Sequence, residues 1–179
     1  MMPQDLVTRG LTPELAVFLT SMLPVVELRG ALPLAINLFK IPVIKAFAIA
    51  FAGNMIPVPF ILLLLGPLVR LLSKVPAFDR FFNRLFERTR RKSNSMIERY
   101  EEIGLMAFVA VPLPGTGAWT GALIAFLFGL DLWKSILVIG SGVLIAGVIV
   151  TTLCLLGWLG AVIAGLALLV LTGLGFWKL

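Results

Sequence analysis

The sequence predicts an all-α polytopic membrane protein, and three observations lead to this fold class. Of the 179 residues, 60% are apolar and only 13% are charged, about half of the usual charged share of a soluble domain. Three long runs contain no charged residue: 46–69, 103–130 and 135–177. Roughly 20 apolar residues already cross the hydrocarbon core as a helix. A soluble enzyme, a nucleic-acid reader and a disordered tail are therefore excluded, and the length suits a single membrane domain.

The composition also removes several kinds of chemistry. The chain has no histidine, so His-based acid–base catalysis and histidine metal ligands are not available. A single cysteine, Cys154, cannot form an internal disulfide or a thiolate metal cluster. The serine of Gly140-Ser141-Gly142 has no evident base. We therefore expect no enzymatic activity, no metal and no cofactor.

Residues 12–40 are predicted to form a re-entrant helical hairpin. Thr12-Pro13-Glu14 has the hydroxyl, the first-turn proline and the early acid that are typical of a helix start. The apolar helix that follows to Met22 is too short to cross. Four residues then interrupt the apolar stretch: Pro24, Glu27, Arg29 and Pro33. Irregular backbone survives at membrane depth only where protein or a wet cavity satisfies it, which predicts a hairpin tip near Pro24–Arg29.

Residues 43–69 are predicted to be a full crossing that contains Asn54 and is kinked at Pro57 and Pro59, where backbone donors are missing. Residues 70–102 hold nine Lys/Arg against five Asp/Glu, with apolar residues at helical spacing. This pattern predicts a basic amphipathic helix on the cytoplasmic membrane surface. It also accounts for the net charge of +6 without a nucleic-acid partner.

Residues 103–130 repeat the first pattern and are predicted to be a second re-entrant hairpin. The break spans 112–121 and includes Pro112, Pro114, Gly115 and Gly117. Glycine lets backbone N–H groups approach a ligand closely, as in phosphate-binding nests. Thr116 or Thr120 is expected to cap the returning half-helix, whose positive end attracts an anion. Two further crossings are predicted, at 135–155 and 158–177.

The two halves of the chain are similar in sequence. Gly30-Ala31-Leu32 matches Gly121-Ala122-Leu123, and 45–54 resembles 134–143 in length and texture. With residues 70–102 in the cytoplasm, the first hairpin enters from outside and the second from the cytoplasm, which is the inverted repeat of many secondary transporters. This predicts an external N-terminus and a cytoplasmic C-terminus. A unit of three crossings is expected to form a homodimer, because the charged tips need protection from lipid.

The segments PVVELRGALPLAI (24–36) and VPLPGTGAWTGALIA (111–125) resemble the signature segments of the bacterial and archaeal membrane proteins described as putative small multi-drug export proteins. This resemblance implies a location in the cytoplasmic (inner) membrane of a prokaryote. More remotely, the two segments are similar to the DedA / VTT-domain superfamily. That resemblance implies two facing re-entrant hairpins and lipid transport or scrambling, with an acidic residue in the first hairpin at the place of Glu27. DedA proteins also carry arginines in the second hairpin, whereas residues 103–130 have none and the intramembrane arginine here is Arg29.

These features predict a transport site. A charge at the bilayer centre costs about 2.5–3.5 kcal/mol on insertion scales, so Glu27 and Arg29 are interpreted as a proton-titrating acid and an anion-binding base. The predicted substrate-binding residues are Arg29, Gly115, Thr116, Gly117, Trp119 and Thr120, although Trp119 equally fits a role in packing alone. Asn54 is either a cavity residue or a partner in a helix–helix hydrogen bond, and the hydrogen bond is the more common role. The first hypothesis is therefore a proton-coupled transporter of an amphiphilic anion, such as a polyprenyl phosphate or another phospholipid.

Other interpretations remain open at this stage. Glu27 and Arg29 could be a structural ion pair that caps half-helix ends, and Gly117 and Gly121 could serve close helix packing. A second hypothesis is a proton-coupled exporter of lipophilic cations with Trp119 and Phe108 as aromatic walls, although Arg29 would repel a cation. A third hypothesis is a non-transporting membrane scaffold.

Overall fold

The structure is a computed structural model that describes residues 10–72, 74, 95–113, 115–157, 159, 160, 162, 163, 165 and 166. Seven helices account for most of these residues, and no strand occurs among them. The predicted amphipathic helix at 70–102 and the predicted crossing at 158–177 lie largely outside the described residues.

Helices α1 (Pro13–Met22) and α2 (Glu27–Pro33) form the first helix pair, joined by a turn at residues 23–26. The hydroxyl of Thr12 accepts a hydrogen bond from the N–H of Leu15 at 3.4 Å, so the predicted helix cap is confirmed. A π-helical turn, Leu34–Leu38, continues α2 directly after Pro33. Such turns relieve a helix at a residue that disrupts the regular bonding pattern, and proline is one.

Helices α3 (Val43–Met55) and α4 (Pro57–Leu72) follow one another with a single turn residue, Ile56, between them. The interruption lies directly before Pro57, where the sequence predicts a kink. The stretch Val43–Val69 has the length, 27 residues, and the apolar composition of a membrane span. It coincides with the crossing predicted at 43–69.

Helices α5 (Ser95–Ala110) and α6 (Ala118–Phe128) form the second helix pair. Their bounds differ from the predicted ones in two respects. Helix α5 runs through the predicted boundary between 102 and 103, so the end of the basic segment and the first arm of the hairpin are one helix. The break is also shorter than 112–121, because Ala118 to Gly121 already form the first turn of α6.

Helix α7 (Leu132–Leu155) has 24 residues and is the second stretch that is long and apolar enough to span a membrane. The carboxylate of Asp131 caps its start by accepting from the N–H of Trp133 at 3.1 Å. Together with Val43–Val69 it makes two candidate spans in the described part of the chain. The described part of the chain is therefore all-helical, with two helices that are long and apolar enough to span a membrane.

The helices pack through small residues. The fully buried alanines include Ala16, Ala31, Ala46, Ala118 and Ala122, while many leucines and phenylalanines are exposed on the outside. Inside a bilayer, helix association depends on close backbone approach and van der Waals packing, because lipid is as apolar as leucine. Alanines thus make up much of the buried core, together with larger side chains such as Leu28, Leu32 and Ile139, while many other large apolar side chains lie on the exposed surface.

One glycine in each half allows a helix pair to pack closely on a long helix. A Cβ atom at Gly53 of α3 would collide with the hydroxyl of Ser21 and the carbonyl of Phe18, both in α1. A Cβ atom at Gly142 of α7 would lie 2.7 Å from Val109 Cβ and 2.8 Å from the Met106 carbonyl, both in α5. In each half of the chain, the first helix of the pair thus lies directly on a glycine of the following long helix.

Candidate functional site

The site begins with Glu27, the first residue of α2, which is only 5% exposed. Its backbone has φ 50°, a left-handed conformation that is uncommon for a residue with a side chain. Such a conformation costs of order 1–3 kcal/mol and persists where surrounding contacts determine it. The compensating contacts here lie on the second helix pair.

The carboxylate of Glu27 lies at the amino-terminal end of α6. Its Oε1 accepts a hydrogen bond from the N–H of Trp119 at 3.4 Å, and the N–H of Ala118 also donates to the carboxylate. The residue that precedes α6, Gly117, has no side-chain cap of its own. Glu27 therefore supplies from the first half the negative cap that this helix end prefers.

Gly117 makes this approach possible. A Cβ atom at this position would overlap both oxygens of the Glu27 carboxylate. From the sequence, this glycine is expected to let the backbone come close to a bound anion. In the structure, the anion next to it is the carboxylate of Glu27. The expectation that Thr116 or Thr120 caps α6 is wrong, because Glu27 occupies that place.

Arg29 reaches the opposite end of the break. Its guanidinium donates to the carbonyl of Val109, in the last turn of α5, at 3.2 Å, and to the carbonyl of Leu113 just beyond it. The Val109 carbonyl is one of those that a helix end leaves without a helical partner. One guanidinium nitrogen also lies 4.0 Å from Glu27 Oε2. The cation thus caps the negative end of α5 while its neighbour caps the positive end of α6.

One further contact ties the helix pairs together, and another stabilises the break within the second pair. The indole N–H of Trp119 donates to the carbonyl of Met22, at the end of α1, at 3.1 Å. The hydroxyl of Thr116 donates to the carbonyls of Val111 and Leu113 within the break, at 2.7 and 3.0 Å. Each interrupted helix therefore has its end satisfied by a side chain from the other pair or from the break itself.

We call the cross-pair contacts of Glu27, Arg29, Gly117 and Trp119 the clasp. The structure brings these four predicted site residues together. Thr116 lies beside the clasp and shapes the break, while Gly115 is exposed with φ 84° and has open space around it. Thr120 is half-buried in the first turn of α6. Of the predicted breaking prolines, Pro24 and Pro112 lie outside regular helix, Pro33 ends α2, and Pro114 lies outside the described residues.

A small cavity lies against the clasp. Its polar lining comes from Glu27, Arg29 and Asn54, and its volume, about 10 Å³, is that of one water molecule. The phosphate of a lipid headgroup or a drug molecule cannot enter a space of this size. Asn54, for which the sequence predicts a cavity position as one of two roles, lines this space. It lies beside both charged groups because α3 packs against α2.

The chemistry of the clasp is that of an anion site. Helix-end N–H groups and a guanidinium converge on one carboxylate in a buried place, and these are groups that recognise phosphate or carboxylate in proteins. A metal site has less support, because no group of three His, Cys, Asp or Glu side chains comes together anywhere in the described part of the chain.

Comparison with known proteins gives one result. The family model described as "Putative small multi-drug export protein" matches residues 27–149. The match begins at Glu27 and includes every member of the clasp as well as Asn54. No curated protein and no solved structure matches the chain.

Proposed function

Because the chain belongs to the family of putative small multi-drug export proteins, we propose that it is a membrane transporter whose substrate is an amphiphilic anion. The substrate class is a lipid phosphate, such as a polyprenyl phosphate or another phospholipid. Glu27 couples its movement to protons, and the two helix pairs enter the membrane from opposite leaflets.

One observation carries this proposal. The carboxylate of Glu27 occupies an anion site made of the α6 N–H groups and the guanidinium of Arg29, 4.0 Å away. A phosphate group has the same charge sign and accepts the same hydrogen bonds. The protein's own carboxylate thus holds the place in which a substrate phosphate would bind.

Exchange of the two anions gives a transport cycle. When Glu27 takes up a proton, its carboxyl loses the negative charge that α6 and Arg29 attract. The N–H groups and the guanidinium are then free for the phosphate, and the apolar tail of the substrate lies among the helices. Release of the proton returns the carboxylate to α6 and expels the phosphate, so that proton and anion movements are linked.

The described arrangement corresponds to the closed state of this cycle. The cavity beside the clasp holds about one water molecule, and the contacts of Trp119 with Met22 and of Arg29 with Leu113 join the two helix pairs. Substrate entry requires these contacts to separate.

The family description names multi-drug export. A second proposal is therefore that the substrate is a lipophilic cation, exported in exchange for protons. Trp119 and Phe108 are aromatic residues of the kind that bind cations. However, Trp119 uses its indole N–H to cap α1, and the guanidinium of Arg29 lies in the same buried place as Glu27. The positive charge opposes a cation in the clasp, so the anion is the preferred substrate.

Transport of defined probes in proteoliposomes tests the proposal. Fluorescent phosphatidate is the anionic probe, fluorescent phosphatidylcholine the zwitterionic one, and ethidium the lipophilic cation. Arg29→Gln should lower phosphatidate transport about 10- to 100-fold, because a hydrogen bond to a charged group contributes about 1.5–3 kcal/mol. Lys45→Gln is the matched control, since it removes an equal charge at an exposed position.

The outcomes separate the alternatives. Loss of phosphatidate transport in Arg29→Gln, with normal transport in Lys45→Gln, supports the proposal. Phosphatidate transport that is unchanged in Arg29→Gln overturns it. Export of ethidium that depends on Glu27 and survives Arg29→Gln favours the cation exporter instead.

A further inference from the structure

The buried amide of Asn54 is a polar group that the clasp does not use. Asn54 lies in the last turn of α3 and is only 2% exposed. Its Oδ1 atom is fully buried and accepts no hydrogen bond from any of the described residues. An unsatisfied buried acceptor is costly, and such groups in folded proteins usually bind an ordered water.

The place for that water is the cavity beside the clasp. Asn54, Glu27 and Arg29 all line it, and its volume of about 10 Å³ matches one water. The remaining lining is apolar side chain and backbone, including Val109, Val143 and Ala146. A water held there therefore depends on three polar groups from two helices, α2 and α3.

We propose that Asn54, Glu27 and Arg29 bind one ordered water molecule, and that this water delivers protons to Glu27. The two O–H groups of the water donate to Asn54 Oδ1 and to the Glu27 carboxylate, and the guanidinium of Arg29 donates to the water oxygen. Each of the three groups then has the partner its chemistry requires. Three hydrogen bonds are also the usual number for a buried water.

A monovalent metal cation fits this cavity less well. Such an ion needs several oxygen ligands, whereas only the Glu27 carboxylate and Asn54 Oδ1 face the space from side chains. The carbonyl of Val109 accepts from Arg29, and the guanidinium lies 4.0 Å from the carboxylate. The positive charge of Arg29 repels a cation and attracts the oxygen of a water.

The role of the water in proton delivery rests on the proposed proton coupling of Glu27. The other partners of the carboxylate are backbone N–H groups and a guanidinium, which do not release protons in the physiological range. The bound water passes one proton to the carboxylate and takes up one proton from a hydronium ion of the solvent. The hydronium ion becomes water, the carboxylate becomes a neutral carboxyl, and the bound water is regenerated, so the exchange balances. Asn54 acts as a positioning residue, because its hydrogen bond orients the water toward the Glu27 carboxylate.

Thermal stability distinguishes a hydrated amide from a dry one. Asn54→Leu keeps the approximate volume and removes the acceptor. If the cavity holds the water, this variant removes one of the three hydrogen-bonding partners of the water. Tm then falls by about 2–4 °C or more, because buried polar groups lose hydrogen bonds. If the amide is dry, the variant removes an unsatisfied group and raises Tm. Thr151→Val is the matched control, because its hydroxyl is also buried and unpartnered among the described residues but does not line the cavity.

Two direct measurements complete the test on the full-length protein. An experimental density map should show a single peak between Asn54 and Glu27 that is absent in Asn54→Leu. Infrared difference spectra after a pH jump report the protonation rate of Glu27, assigned with Glu27→Gln. This rate should fall several-fold in Asn54→Leu and remain normal in Thr151→Val and in Asn54→Ser, which retains an oxygen.

Four results would overturn the proposal: a rise of Tm in Asn54→Leu, an empty cavity, an unchanged protonation rate, or a Tm that rises with sodium but not with choline. None of these measurements requires a substrate. If the water is found but the protein transports no phosphatidate, the proposed function fails and the proposed water site is still supported.

Discussion

Corresponding residues of the two halves make corresponding contacts. Lys45, near the start of α3, pairs with Glu14 of α1 at 2.9 Å, and Lys134, near the start of α7, pairs with Glu102 of α5 at 3.4 Å. Gly53 packs on α1, and Gly142 packs on α5. The two halves therefore use the same ion pair and the same glycine contact to join a helix pair to a long helix.

The polar residues of the clasp break this correspondence. Aligning Gly30 with Gly121 places Glu27 opposite Ala118 and Arg29 opposite Thr120, and aligning Gly53 with Gly142 places Asn54 opposite Val143. The first half carries the charged side chains, and the second half contains the helix ends that these side chains cap. This difference teaches that the repeat builds the scaffold, while the site arises from divergence at three positions.

Substitutions at the corresponding positions Arg29 and Thr120 should differ most in their effect on the free energy of unfolding. Arg29→Met leaves the buried Glu27 carboxylate without its neighbouring cation, and removing one partner of a buried pair costs about 3–5 kcal/mol. Thr120→Val should change stability by about 0.5 kcal/mol or less. Denaturant unfolding in detergent measures both, and equal effects would contradict the assignment of the clasp to the first half.

Gly117→Ala should have the next largest effect. The new Cβ atom overlaps the Glu27 carboxylate, and overpacking of this kind costs about 1–3 kcal/mol. Gly104→Ala in α5 is the control, because its Cβ atom would meet no neighbour; it should be neutral or slightly stabilising. The double variant Gly117→Ala/Glu27→Ala should lose less than the sum of its single variants. Simple additivity would show that the two residues do not meet.

The glycine contacts test the scaffold itself. Gly53→Ala and Gly142→Ala should each destabilise by about 1–3 kcal/mol, since each pushes a helix pair away from a long helix. Gly66→Ala, which faces open space in α4, serves as the reference. Thermal unfolding that responds to only one of the two packed glycines would break the correspondence between the halves.

The smallest effect concerns the exposed ion pairs. The hydrogen bond from Lys45 holds the pKa of Glu14 below its ordinary value. A lowered pKa stabilises the folded state above the unfolded-state pKa, and this contribution disappears as the pH falls through the folded-state pKa. Wild type should therefore have a slightly higher Tm than Glu14→Gln at neutral pH, with no difference at strongly acidic pH. A difference that persists in acid, or that high salt does not reduce, would exclude the ion pair as its cause.

Much of the scaffold can be predicted from the sequence. Two of the charge-free runs overlap the candidate spans Val43–Val69 and Leu132–Leu155. Thr12-Pro13-Glu14 marks the start of α1, and the breaks at residues 23–26 and 111–117 follow from proline and glycine. These signals are local, because backbone donors, caps and hydropathy act within a few residues. The exact bounds are less accessible: the first turn of α6 forms despite Gly121, since neighbours from α5 and α7 pack closely on that glycine.

The site could be predicted as a set of residues but not as a set of contacts. Glu27 and Arg29 stand out because charges in apolar segments are costly. Their partners are backbone groups of residues 109–119, which carry no sequence signal of their own. The threonines of the break were expected to cap α6 because hydroxyls commonly do so. A carboxylate 92 residues away does it instead, and no spacing rule relates residues that distant.

The long separation of these partners also has a consequence for biosynthesis. Arg29 and Glu27 are bonded to residues 80 and 92 positions later in the chain, which a ribosome needs on the order of 4–20 s to add. Throughout that interval both charges emerge without the carbonyls and amides that neutralise them. In the proposed membrane arrangement, the amino-terminal helix pair reaches its final depth only after residues 109–119 have been made. We therefore expect its insertion to be completed after translation of the second half.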